Sequence, residues 1–182
     1  MLLTVQQKYI LEVLRKLHFI RRRQLAVLLG KKFQHPDSEI SEIRLDAMLR
    51  QLRAGNSGVF LDGDLVRLSG ARPDPLCLEA LDVMLELAEG VPEDFTTRVE
   101  RPGILRFSWG DNLRLFTVAE LSAPVRPTVE LLAQKKRVVW IAGTGAPCQT
   151  GAVPEGLSLP AGHFFAARLE NGSHRFYGSN GP

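Results

Sequence analysis

Three helix-like apolar repeats and one hairpin signal occupy the first 70 residues, and their order constrains the fold more than any other feature. A capping box that begins at Thr4 precedes apolar residues at helical spacing, which predicts a first helix over residues 4–17. Residues 18–20 then form a short extended link. A second helix is predicted over residues 21–29, with Gly30 as its C-cap.

A third helix is predicted over residues 38–54, with Asp37 and Ser38 as capping candidates. Its expected apolar stripe consists of Ile40, Ile43, Leu45, Met48, Leu49 and Leu52. The sequence VFLDGDLVRLS follows, and two β-prone runs around Asp62-Gly63 are a strong hairpin signal.

This order of elements resembles a winged helix-turn-helix over residues 4–70, on the segments QLAVLLG, LDAMLRQLRAG and DGDLVRLS. The resemblance implies a domain at residues 1–70 that binds DNA, with the third helix in the major groove and the hairpin along the backbone. The run YILEVLRKLHFIRRRQLAVLL is also similar to the opening of the replication-relaxation proteins of plasmids and other mobile elements. That similarity implies a bacterial accessory protein of such an element.

Positive charge is concentrated at the start of the chain. Residues 1–70 carry 12 Lys and Arg against 7 Asp and Glu, a net +5, whereas residues 71–182 carry 11 against 13, a net −2. Within the first part, residues 1–34 hold eight basic residues and one acid, while residues 35–70 hold four basic and six acidic ones. This asymmetry suggests an anionic partner for the N-terminal segment and an unusually acidic third helix.

The arginine triplet at residues 21–23 opens the second predicted helix, where cations are mildly unfavourable because the helix N-terminus is itself partly positive. One interpretation is a solvated boundary; the other is contact with the DNA backbone, which positions a protein without reading sequence. The candidate DNA-binding residues are Arg21, Arg22, Arg23, Gln24, Lys31, Lys32, Ser41, Arg44, Arg50 and Arg67.

A second domain is predicted over residues 76–182, after the boundary sequence ARPDP at 71–75. It opens with an amphipathic helix at 76–89, acidic on its outer face, which either dimerises or packs on its own sheet. The remaining predicted elements are strands at 104–109 and 113–121, a helix at 127–134, a central strand at 138–142 and a hairpin around Asn171-Gly172. This part is therefore α+β.

Two ligand-binding motifs are weak in this domain. The sequence GTG follows a predicted strand, but no helix follows it and the lysine of a phosphate-binding loop is missing. His163, His174 and Cys148 match no known metal-ligand spacing. We therefore expect neither a cofactor nor a metal.

The order of helix, hairpin, helix and strand also resembles part of a restriction-endonuclease-like core. Such nucleases need an acid and a Glu-x-Lys motif to hold Mg²⁺ and activate water. Asp111 is available, but Glu120 is followed by Leu121 and Ser122, so the lysine is absent. If that core is present, we expect it to be degenerate.

The sequence as a whole predicts an α+β, cytoplasmic, non-enzymatic protein that binds double-stranded DNA, with a homodimer as a further expectation. An apolar content of 45% and a charged content of 24% are typical of globular proteins, and the apolar runs are too short to cross a membrane. Two alternatives remain open: an adaptor that uses the winged helix to bind other proteins, and a nuclease with an unusual or decayed site.

Overall fold

The computed structural model describes residues 2–33, 40–110, 112–143 and 150–179. Its helices are α1 (Val5–Leu17), α2 (Arg22–Phe33), α3 (Glu42–Ala54), α4 (Pro75–Leu87) and α5 (Val125–Leu131). Its strands are β1 (Phe19–Arg21), β2 (Val59–Asp62), β3 (Leu65–Leu68), β4 (Glu93–Thr96), β5 (Gly103–Trp109), β6 (Arg114–Leu121), β7 (Val138–Ala142), β8 (His163–Arg168) and β9 (His174–Gly178). The α+β class is confirmed.

A small three-stranded sheet accompanies the first three helices. Its order is β1-β3-β2, and both pairings are antiparallel. The β2–β3 turn consists of Gly63 and Asp64. A tight hairpin turn requires a positive φ, and glycine adopts the φ of 58° observed at Gly63 without strain. The predicted hairpin is confirmed, and the predicted link is a true strand because β1 pairs with β3.

A six-stranded mixed sheet forms the second half of the chain, in the order β4-β5-β6-β7-β8-β9. β6, β7 and β8 run parallel to one another, and the other neighbours are antiparallel. Alternate residues of β7 lie in two different apolar clusters: Val139 and Ile141 pack with α4, whereas Trp140 packs with α5. The two helices therefore cover opposite faces of the sheet.

Helix α4 joins the two halves of the molecule. One apolar cluster extends from α1, α2 and α3 through α4 to the sheet, so residues of both predicted domains share it. Packing on its own sheet, one of the two roles expected for this helix, is observed, and dimerisation stays a prediction. None of the described helices has both the length and the apolar character needed to span a membrane.

The predicted end of α2 and the predicted start of α3 are wrong. Helix α2 continues through the buried Gly30 to Phe33, because Phe33 packs edge-on against Tyr9 with ring centroids 5.5 Å apart. Tertiary packing here outweighs the local stop signal. Helix α3 begins at Glu42 with Ser41 as its N-cap, and the capping candidates Asp37 and Ser38 lie outside the described residues.

Ile43 was expected in the buried stripe of the third helix, but its side chain is 82% exposed. It lies about 200° around the helix axis from the buried Leu45, since each residue turns the helix by about 100°.

Strand β4 was not predicted, because this edge strand buries only Phe95 and shows no alternating pattern. Helices α4 and α5 each begin and end one to three residues before the predicted bounds.

Candidate nucleic-acid interface

Helix α3 has one buried face and one exposed face. Leu45, Met48, Leu49 and Leu52 pack into the core and fix the orientation of the helix. The opposite side exposes Ile43, Ala47, Arg50 and Ala54, which recur every three or four residues. We call these four residues the α3 outer strip. A narrow line of apolar side chains with one arginine is thus presented to solvent.

The acid in the middle of this region is already paired. Asp46 of α3 accepts a hydrogen bond from the Arg22 guanidinium at the start of α2. The pair is partly exposed, with 28% of the Arg22 side chain and 36% of the Asp46 side chain accessible. It fixes α3 against α2, and it partly cancels the carboxylate that would otherwise repel phosphates.

Arg21 and Gln24 both bind α4, and of the two only the half-buried Arg21 also reaches the surface. The Arg21 guanidinium donates to Asp82 Oδ2 at 2.7 Å. Gln24 is only 2% exposed, and its Nε2 donates both to the Leu78 carbonyl and to Asp82 Oδ1, each at 2.7 Å. Its Oε1 accepts from the Arg21 backbone amide at 3.0 Å. We therefore remove Gln24 from the candidate interface, because its amide is already used within the protein.

Arg23 is the exposed member of the triplet, and it makes no hydrogen bond or ion pair with any other residue that the structure describes. It lies between two surface clefts. One, of about 630 Å³, is bounded by the starts of α2 and α3 and by the β2–β3 turn. The other, of about 510 Å³, lies between α2, α4 and the β8–β9 turn. Arg23 can thus reach an anion bound at either cleft.

The two lysines at the end of α2 have different surroundings. Lys31 Nζ donates to the Ala88 carbonyl at 2.6 Å, which supports the C-terminal end of α4. Lys32 is exposed. Lys31 therefore has a role in the fold, whereas Lys32 lies on the surface.

Three further candidates lie on α3. Ser41 is the exposed N-cap residue, and its side chain makes no capping hydrogen bond. Arg44 is exposed, and its Nη2 donates to Gln6 Oε1 of α1 at 3.0 Å. Arg50 is exposed, and its Nε donates to the Asp46 carbonyl at 3.3 Å. The structure thus brings Ser41, Arg44 and Arg50 to the solvent side of one helix.

Arg67 lies on β3 of the hairpin. Its guanidinium stands over the Phe60 ring, 5.8 Å from the centroid, and its Nε is 3.9 Å from Asp62 Oδ2. Phe60 is itself 46% exposed. The ring contact holds the cation at the hairpin surface, beside an acid that reduces its net charge.

The two histidines whose spacing was compared with metal sites are both bound within the protein. His163 is fully buried; its Nδ1 accepts from Trp140 Nε1 at 3.2 Å, and its Nε2 donates to the Lys135 carbonyl at 2.8 Å. Cys148 lies outside the described residues, as does most of the GTG loop. Within the described part of the chain, no group of three or more His, Cys, Asp or Glu residues is arranged to hold a metal ion.

His174 joins strand β9 to α4 through two carboxylates. Its Nδ1 is 3.1 Å from Glu86 Oε1 and its Nε2 is 3.5 Å from Glu79 Oε1, while its backbone amide donates to Glu86 Oε2 at 2.9 Å. Burial alone would lower the pKa of His174, but the hydrogen bonds to Glu79 and Glu86 outweigh it and raise this pKa to about 9. The imidazole is therefore a buried cation at neutral pH.

Of the two acids considered for the nuclease alternative, Glu120 lies within the described residues. Glu120 Oε2 lies 2.9 Å from Arg101 Nη1 and is therefore held in an ion pair. Asp111, the second acid considered, lies outside the described residues.

Comparisons of the chain with protein-family models, with curated proteins and with solved structures found no match.

Sequence reasoning missed the α3 outer strip as a surface, because Ile43 was assigned to the core. The signal was present, since a helical wheel places Ile43 opposite Leu45 and close to Ala47 and Arg50. The exposed Arg53 near the end of α3 adds a further cation beside this strip. The acids that bind Arg21 and Arg22 were not identified as their partners.

Proposed function

We propose that this chain is a cytoplasmic double-stranded-DNA-binding protein whose first 70 residues form a winged helix-turn-helix. The observation that carries the proposal is the α3 outer strip, an exposed face of a helix whose first turn shares a surface cleft with the β2–β3 turn. Helices α2 and α3, the three-stranded β1-β3-β2 sheet and the hairpin occur in the order that a winged helix uses. In such domains the third helix enters the major groove.

Exposed cations around this helix support an anionic partner. They are Arg23, Lys32, Arg44, Arg50 and Arg53, and the half-buried Arg67 adds a cation on the hairpin. The ion pair between Arg22 and Asp46 reduces the negative field of α3, which was the main sequence argument against DNA binding. Phosphate contacts from such arginines supply affinity and orientation, whereas groups on the outer strip face the bases. The similarity of the N-terminal run to replication-relaxation proteins supports a role on a mobile element.

The proposal is tested by the affinity of the full chain for a fluorescently labelled duplex of random sequence. We expect measurable anisotropy binding at low salt for the native chain. The variant Arg23→Ala should bind several-fold more weakly, because it removes an exposed cation that has no partner among the described residues.

A matched control is Arg126→Ala, which removes an arginine whose side chain is 91% exposed on α5, where it pairs with Glu130. This variant has the same change in net charge and should bind as the native chain does. Equal losses in both variants would mean that net charge alone attracts DNA. Absence of binding at low salt would reject the DNA-binding proposal and favour the adaptor alternative.

A further inference from the structure

Ile43 is the most unusual residue on the α3 outer strip. Its side chain is 82% exposed, and it stands in the first turn of α3. A single exposed apolar residue is common on protein surfaces. The important fact is its surroundings, because Ala47 lies about 40° around the helix from Ile43 and Ala54 about 20°, so all three form one apolar line.

Cations flank this apolar line on both sides. Arg44 lies about 100° to one side of Ile43 and Arg53 about 80° to the other, and both are exposed. Arg50 lies within about 20° of the line itself, near its centre. The exposed acid Glu42 lies about 100° from Ile43 on the same side as Arg53, at the cleft that it shares with Arg23.

This pattern fits a partner with an apolar centre and negative edges. Thymine supplies such an apolar centre in the major groove of DNA, because its 5-methyl group projects beside the O4 acceptor and between two lines of phosphates. The groove is wide enough to admit an α-helix. Ile43 and Ala47 are four residues apart, about 6 Å along the helix, which is close to two base-pair steps.

We propose that α3 recognises thymine methyl groups in the major groove through Ile43 and Ala47. This inference rests on the proposed DNA-binding function and adds the chemistry that gives it sequence preference. Apolar contact with the methyl group replaces the hydrogen-bond reading that acidic and basic side chains provide at other sites. Arg44 and Arg53 lie toward the phosphates on either side and hold the helix in the groove.

The test separates the methyl group from every other feature of DNA. Duplexes are enriched from a random pool with the full chain, and the preferred duplex is then made twice, once with thymine and once with deoxyuridine. Uracil forms the same base pair and lacks only the 5-methyl group. We expect the native chain to bind the thymine duplex about four-fold more tightly for each methyl group that is buried.

The variant Ile43→Ala should lose most of this preference while it keeps the salt dependence of binding. Because Ile43 is 82% exposed, the substitution leaves the core intact. The control Leu131→Ala removes another apolar side chain, 70% exposed on α5, and should keep the full preference for thymine.

The other possible results of these binding experiments reject either thymine recognition alone or DNA binding as a whole. Equal affinity for the two duplexes, or a preference that survives in Ile43→Ala, overturns thymine recognition while salt-dependent DNA binding stands. Binding without any enriched sequence also overturns it. Absence of binding to any duplex rejects both proposals together. If Ile43→Ala instead abolishes self-association in sedimentation without altering the thymine preference, the residue belongs to a protein interface.

Discussion

The buried imidazole of His174 predicts a loss of stability at alkaline pH. The His174 side chain is 1% exposed, lies between Glu79 and Glu86, and has a pKa raised to about 9 from 6.5. Arg168 of β8 is a further charged group at this cluster, and its Nη1 lies 3.6 Å from Glu79 Oε2. Since the raised pKa favours the folded protein only when the imidazole is protonated, the stabilisation is complete below about pH 6.5 and disappears as the pH rises through about 9.

The size of this effect follows from the shift of the pKa. A shift of about 2.5 units corresponds to about 3 kcal/mol of unfolding free energy, at about 1.4 kcal/mol for each unit. We expect urea unfolding of the native chain to show that loss between about pH 6 and about pH 10. The variant His174→Gln keeps a polar side chain between the carboxylates and removes the titration. Between these two pH values, the variant should therefore lose about 3 kcal/mol less unfolding free energy than the native chain loses.

A second measurement locates the titration directly. Nitrogen-detected NMR of the His174 ring should show both nitrogens protonated at about pH 7.5, with a midpoint near pH 9. The reasoning would be refuted by a midpoint near the ordinary value of 6.5, or by equal pH dependence of unfolding in the native chain and His174→Gln.

Three substitutions test other parts of the account. Asp82→Ala removes the carboxylate shared by Arg21 and a buried amide, and should lower the unfolding free energy in urea by about 2 kcal/mol. Asp46→Ala should lower the unfolding free energy by less than about 1 kcal/mol, because its ion pair with Arg22 is partly exposed. The same substitution should raise the affinity for duplex DNA, because it frees the Arg22 guanidinium. Gly162→Ala should lower the melting temperature and reduce the unfolding free energy by at least about 2 kcal/mol, because φ at this residue is +82° and the added Cβ would overlap the Lys136 carbonyl oxygen. An unchanged melting temperature would contradict this geometry.

Local sequence patterns predicted the elements that short-range chemistry determines. The capping box of α1 is present, because the Thr4 and Gln7 side chains each accept from the other's backbone amide. The apolar run of β7 is indeed a central strand, buried between parallel neighbours. These features depend on residues within one element and its immediate flanks.

Contacts between distant residues explain what the sequence could not predict. The arginine triplet was interpreted as one basic site, yet Arg21 binds an acid 61 residues away and Arg22 binds one 24 residues away. Only their positions in the fold bring these partners together. Gly30 likewise has the local chemistry of a helix stop, but the packing of Phe33 against Tyr9 extends α2 past it.

The salt dependence of duplex binding tests the central claim most directly. If the exposed cations around α3 contact phosphates, the logarithm of the association constant should fall linearly with the logarithm of the salt concentration, with a slope of about −4 for four to five contacts. The slope for Arg23→Ala should be shallower by about 0.9, whereas the slope for Arg126→Ala should match that of the native chain. A native slope near zero, or no binding even at about 50 mM salt, would contradict the claim that this chain binds DNA.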